Sequence, residues 1–289
     1  MSRDVRPIPC HSHNDYWRSA PLFDALAAGC TSVEADVWLT ALDNTEKDLF
    51  VGHGTDALRE DRTFRSLYVN PLVRMLEARN NDSGPNAGAR GVFEMDASVP
   101  LVLAVDIKSS GPETFDRVRE QLTPLREAGW LSHYDGSAGE VKPGPVVVVG
   151  TGETPFGRVV EDAKYRDVFF DAPLSSLGSK TDDEERAGER FSAANSYYAS
   201  VDLPSAVGQV WFGGLTTGQI NKVRGQIDEA RNRGMKSRYW NTPGWPVGTR
   251  NRVWKTLLET GADVLNVDDV KGARWSNWAG CGRWALGFC

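Results

Sequence analysis

Short runs of apolar, β-branched residues recur along the chain, and helix-length amphipathic stretches separate them. Residues 5–11, 31–38, 101–108, 145–150, 167–172, 196–201, 235–240 and 262–268 predict eight strands. Residues 49–53 (LFVGH) predict a ninth, short strand that extends the second. The intervening stretches 21–29, 70–80, 113–129, 216–234 and 249–261 predict helices, several of them ending in Gly. Near-continuous apolar strands that alternate with helices belong to a parallel sheet covered on both faces. Eight such units, with no composition shift, internal repeat or Pro/Gly/Ser-rich linker, predict an α/β fold: a single-domain (β/α)8 TIM-type barrel over 1–289. A dinucleotide-binding sheet would need a glycine-rich turn after its first strand, and HSHNDYWR is not one.

Polar residues interrupt these strands in a regular way. PIPCHSHNDY carries His11 and His13, SVEADVWL carries Glu34 and Asp36, and LVLAVDIK carries Asp106 and Lys108. A spacing of two puts both side chains on one strand face, and unpaired charge buried there is costly. With His53 in LFVGHG, and with Trp240 and Asp268, these residues gather toward strand C-terminal ends, where barrel active sites lie. Glu34, Asp36 and Asp106 offer three hard oxygen ligands suited to Mg²⁺, with Ca²⁺ or Mn²⁺ as alternatives. His13 and His53 are candidate general acid and base, and Lys108 a partner for carboxylate or phosphate. That combination suits phosphodiester cleavage.

Composition narrows the partners. A net charge of −6 argues against nucleic acid or an anionic membrane as a bulk electrostatic partner. No run reaches the roughly 18 apolar residues of a membrane span, and MSRDVRPIPC has no signal-peptide core. The four cysteines lack zinc-site spacing. Cys10 and Cys30, at the first two strands, read as buried free thiols. Cys281 and Cys289 frame the tail CGRWALGFC; if paired, they would imply an oxidising compartment and a secreted protein. The aromatic tail 273–289, with Trp275, Trp278, Trp284 and Phe288, is expected to pack on the barrel. Membrane contact is expected only through substrate or through this tail. The Gly/Pro/polar stretches 80–92 and 132–145 read as loops, and the charge run 178–190 as a solvated helix start or surface loop. His133, in WLSHYDG, stands apart in a loop.

HSHNDY, SVEADV, the strand ending in GHG and VDIK together resemble the phospholipase-C-like phosphodiesterases. That superfamily includes glycerophosphodiester phosphodiesterases and sphingomyelinase D-type phospholipases. The pattern is most similar to the fungal altered inheritance of mitochondria protein 6 family, as are the later blocks NSYYASV, RYWNTPGWP and ADVLNVDD. The resemblance implies one divalent cation held by Glu34, Asp36 and Asp106, catalysis by His13 and His53, and Lys108 beside the third ligand. It also implies a small phosphodiester or phospholipid as substrate. Trp240 corresponds to an aromatic near the substrate mouth. His11 is additional to the single histidine of the venom motif and is assigned to substrate or to orienting His13. Asn14 is assigned to a phosphate oxygen or to the turn. The stretch GTDALREDRTF lacks the cysteine pair of the venom enzymes, and the long insertion of many glycerophosphodiesterases is missing. Either an open monoester or, by attack of the substrate's own hydroxyl, a cyclic phosphate is compatible with these residues.

Two rival readings keep the barrel. His11-Ser-His13 also resembles the metal-binding HxH of amidohydrolases, although these need further histidines from later strands and the chain has none after His133. A catalytically silent phosphate-binding barrel is the other.

Overall fold

The computed structural model describes residues 4–40, 48–81 and 88–275. Eight parallel strands form a closed barrel in chain order: β1 (Ile8–Ser12), β2 (Cys30–Trp38), β3 (Leu101–Ile107), β4 (Val146–Gly152), β5 (Val168–Pro173), β6 (Ser196–Asp202), β7 (Lys236–Trp240) and β8 (Val264–Val267). Each pairs with its successor, and β8 closes on β1 with His11 opposite Asn266. The eight strands fall where the apolar runs predict them. This is the α/β TIM-type barrel, as one domain.

Alternation along each strand sorts the side chains. On β3, Leu101, Leu103, Val105 and Ile107 face outward into the layer between strands and helices. Val102 faces the axis, where it packs with Val147, Val149, Phe169, Tyr198 and Val264. Further along the strands the inward positions turn polar: Glu34 and Asp36 on β2, Asp106 on β3, Asp171 on β5, Arg238 on β7 and Asn266 on β8. In register, Asp36 stands beside Asp106, and Asp106 beside Thr151.

Several expectations are corrected. Cys10 and Cys30 are not free thiols; they form a disulfide between the neighbouring strands β1 and β2, with Cα atoms 4.7 Å apart. The helix expected over 113–129 is divided into Gly111–Gln121 and Thr123–Glu127. Pro124 has no N–H for the continuing helical bond, and so it opens a new first turn. The stretch 132–145 is not all loop: His133–Asp135 and Glu140–Lys142 form a three-stranded antiparallel sheet with Tyr165–Arg166. The 49–53 run supplies Phe50–Val51, antiparallel to the end of β2. In the 178–190 charge run, Thr181 caps the helix Asp182–Ala187, and Glu184 is buried against Arg190 and Arg233 rather than solvated. The tail expected to pack on the barrel lies outside the described residues beyond Trp275, as do Cys281 and Cys289. Among the described residues, no helix is long and apolar enough to cross a membrane.

Candidate active site

Glu34, Asp36 and Asp106 converge at the C-terminal mouth of the barrel, with ligand oxygens all within 4.8 Å of one another. Lys108, just past β3, ties two of them: its Nζ lies 2.7 Å from Asp106 Oδ2 and 3.2 Å from Asp36 Oδ2. Asn14 adopts a left-handed conformation (φ 48°) that turns its backbone N–H onto Glu34 Oε2 at 2.8 Å. That N–H contact, more than its side chain, links Asn14 to the carboxylates. The Tyr16 hydroxyl sits 2.8 Å from Asp36 Oδ2 and 2.6 Å from Asn14 Oδ1, so its one proton serves either acceptor.

The two candidate catalytic histidines flank this cluster on different sides. His13 Nδ1 bonds Asp268 Oδ1 at 2.8 Å, and its Nε2 lies 3.8 Å from Glu34 Oε2. Burial disfavours the imidazolium, but the Asp268 hydrogen bond and the charge of Glu34 outweigh it, and the pKa of His13 is raised. His53, 62% exposed, faces the other flank, with Nδ1 3.4 Å from Asp36 Oδ2 and 3.3 Å from the Tyr16 hydroxyl. The Trp17 ring packs edge-on against it.

His11 lies deeper. It is wholly buried, with Nδ1 2.7 Å from Ser32 Oγ, while Nε2 accepts a 3.0 Å bond from Arg238 Nη1. Burial, then the Arg238 charge, lowers its pKa to about 4, and so it is neutral at physiological pH. Trp240, half-exposed at the end of β7, stands at the mouth two residues beyond Arg238 and on the same strand face. His133 is remote from the site, stacked on Tyr165.

Sequence reasoning missed Tyr16, Arg238 and the part Asp268 plays. Arg238 is buried and fully engaged: with Asp171 at 3.2 Å, Asn266 at 3.0 Å, Ser200 at 2.9 Å and Glu34 at 3.7 Å. Its signal was present, since KSRYW carries Lys236, Arg238 and Trp240 at the same spacing of two. Tyr16 had none.

The charges of the cluster do not balance. Among the described residues, Glu34, Asp36, Asp106 and Asp171 face two permanent cations, Arg238 and Lys108, with His13 beside Glu34 as a third when protonated. Burial opposes ionisation of Glu34, but His11, Arg238 and His13 outweigh it and hold the carboxyl well below the usual range. Asp36 is less well served: burial and the neighbouring Asp106 and Glu34 push its pKa up to about 6. Burial raises Asp106 as well, although Lys108 opposes it. Asp36 Oδ1 and Asp106 Oδ1 are buried without a hydrogen-bond partner. The latter fits against Gly152, where an added Cβ would lie 2.0 Å from it. Crowded hard oxygens, orphaned lone pairs and excess negative charge together fit a divalent cation.

Fold and site define a TIM-type barrel whose ionisable groups are concentrated at its C-terminal mouth. The chain matches the AIM6-like phosphodiesterase domain family over residues 1–171, and it belongs to that family. It is 39% identical to the altered inheritance of mitochondria protein 6 homolog of Arthroderma benhamiae, over 95% of this chain and 85% of that protein. It is 36% identical to altered inheritance of mitochondria protein 6 of Eremothecium gossypii, over 93% and 70%. The protein of that name from Saccharomyces cerevisiae strain YJM789 is 32% identical, over 93% and 71%. No solved structure matches the chain.

Proposed function

We propose that the chain is a metal-dependent phosphodiesterase that cleaves a glycerophosphodiester or a phospholipid headgroup. The observation that carries this reading is the group of three carboxylates within 4.8 Å, flanked by histidines on two sides, in a member of a phosphodiesterase domain family. Glu34, Asp36 and Asp106 would hold Mg²⁺, with Ca²⁺ or Mn²⁺ as alternatives. When bound, the ion would polarise the phosphoryl oxygens and offset their charge.

The side chains supply the rest. Asp268 holds the Nδ1 side of His13, so that Nε2 is directed to the carboxylate side of the mouth. The raised pKa favours the imidazolium, the form a general acid requires. His53, exposed on the opposite flank, takes the proton of the attacking oxygen. As the new O–P bond forms and the old P–O bond breaks, His13 returns a proton to the leaving oxygen. Attack by water gives an open monoester; attack by the substrate's own hydroxyl gives a cyclic phosphate. Lys108 fixes Asp36 and Asp106 and neutralises part of their charge. Neutral His11 accepts from Arg238 and so positions Arg238 beside Glu34; its burial supports a positioning role over substrate contact. The Cys10–Cys30 disulfide supports an oxidising compartment.

Phosphorus NMR tests the proposal. Glycerophosphocholine, lysophosphatidylcholine, sphingomyelin and phosphatidylinositol are each incubated with the protein in Mg²⁺, Mn²⁺ or Ca²⁺, and then in EDTA. The expected result is a metal-dependent new resonance, whose shift separates cyclic from open phosphate. Silence across the panel with every metal would count against the reading.

A further inference from the structure

The mouth of the barrel carries an aromatic rim that the proposed chemistry does not use. Six of the large apolar side chains exposed among the described residues lie on segments following the C-terminal ends of β1, β6 and β7: Trp17, Trp211, Phe212, Trp240, Trp245 and Val247. Of the other three, Trp275 follows β8 and borders a cavity together with Trp17, while Met95 and Val141 lie elsewhere. Among those six, Trp211, Phe212 and Trp245 are the most exposed, at 70%, 68% and 77%. They border a cavity of about 380 Å³ whose wall also includes Val210 and Pro243.

The rim is built to stay exposed. The Gly214 N–H donates to the Trp211 carbonyl at 2.8 Å and closes a tight turn that presents Trp211 and Phe212 at its tip. The Thr249 hydroxyl at 3.0 Å and Arg252 Nη2 at 2.9 Å both donate to the Phe212 carbonyl. These bonds clamp the turn to the first turns of the helix Val247–Thr260. The aromatic tips are therefore held outward by backbone contacts. Arg252, itself exposed, sets a cation at their base.

We infer that this rim is a docking surface for a lipid bilayer. Exposed apolar patches of this kind mark interaction sites, and Trp favours the boundary between hydrocarbon and water. A cation beside inserted aromatics pairs with lipid phosphates while its stem stays in apolar surroundings. Position selects a membrane over a protein. β7 carries Arg238 to the carboxylates and Trp240 to the mouth, and at roughly 3.3 Å per residue the rim begins about 7 Å above Arg238. Trp17, on the far side, packs its ring 5.6 Å from that of His53. A protein seated on both sides would cover the mouth, whereas a bilayer there presents its own phosphodiesters to it. The choice of a bilayer over a protein rests on the phosphodiesterase reading; the exposure of the rim does not.

The test uses the full chain carrying Glu34→Gln, so that binding is read without turnover. Flotation is measured with vesicles of phosphatidylcholine and with equimolar phosphatidylcholine and phosphatidylserine. The chain is expected to float with vesicles, and Trp211→Ala/Trp245→Ala to lower partitioning by roughly tenfold or more at an unchanged melting temperature. Arg252→Glu is expected to weaken binding more on the phosphatidylserine vesicles. Failure of the parent chain to float on either vesicle, or equal flotation of the double variant, overturns the inference. So does a concentration-dependent dimer abolished by the double variant in a chain that ignores vesicles. Loss of turnover on soluble diesters in the otherwise unmodified protein would instead strike the phosphodiesterase reading and leave the flotation result standing.

Discussion

In the N-terminal half of the barrel interior, Val102, Val147, Val149, Phe169, Tyr198 and Val264 fill the axis with apolar volume. A few residues further along the same strands, Glu34, Asp36, Asp106, Asp171 and Arg238 fill it with charge. The two halves share one backbone scaffold and one alternation, yet they are held by different forces. Packing is sufficient in the lower half. In the upper half each buried charge must find a partner, and the chain provides partners unevenly. Glu34 and Asp171 have Arg238, whereas Asp36 and Asp106 share one permanent cation, Lys108, with the Tyr16 hydroxyl on Asp36 besides. The imbalance lies at the mouth, so the chemistry is concentrated where the fold is least self-sufficient.

The comparison breaks most visibly through activity. Glu34→Gln and His53→Ala should each lower turnover by about 10²–10⁴-fold while leaving the fold intact, as circular dichroism and steady-state rates would show. His53→Ala should keep its divalent affinity, because His53 is offered as a proton carrier and not as a ligand. A fully active His53→Ala enzyme would remove that role.

The converse change strikes the lower half. Phe169 is buried within the apolar cluster, and Phe169→Ala should cost about 3–5 kcal/mol in denaturant unfolding with metal affinity retained. Equal damage to stability from Glu34→Gln would blur the division. The disulfide belongs to the stability side as well. Replacing Cys10 and Cys30 with Ser opens a loop of sequence separation 20 and should cost about 3 kcal/mol.

The smallest effect is the most specific. The pKa of Asp36 in the folded chain, about 6, lies above its ordinary 3.8. Between those values the folded state binds more protons than the unfolded state, so stability falls as pH rises through that window. The penalty is complete above about pH 6 and relieved toward pH 4. Metal-free Asp36→Asn should therefore be the more stable chain near neutral pH, by on the order of 2 kcal/mol, with the difference shrinking on acidification. Urea melts at several pH values in EDTA would show it, and a difference independent of pH would contradict the assignment.

The same alternation explains what the sequence made legible. All eight barrel strands could be read because their outward faces are near-continuously apolar, and Glu34, Asp36 and Asp106 because polar pairs break that pattern at a spacing of two. The structure brings those three together, with His13 and His53 on their flanks. Arg238 followed the same spacing but was not read as part of the site, and Asp268 was placed at the strand ends without its partner His13, since in both cases the partners lie on strands far away in sequence. Tyr16 sits in a short turn after β1, where no periodicity operates. The three-stranded sheet escaped because its strands are two or three residues long. The disulfide depends on which strands become neighbours and in what register, and a separation of 20 carries no mark of either.

The central claim is that Glu34, Asp36 and Asp106 form a divalent-cation site, and calorimetric titration of the EDTA-treated chain with Mg²⁺, Mn²⁺ and Ca²⁺ tests it directly. Saturable binding of at least one of these ions at one site is expected, with proton release from Asp36 near pH 6 and severe weakening in Glu34→Gln. Absence of binding for all three ions, or undiminished binding in Glu34→Gln, would contradict it.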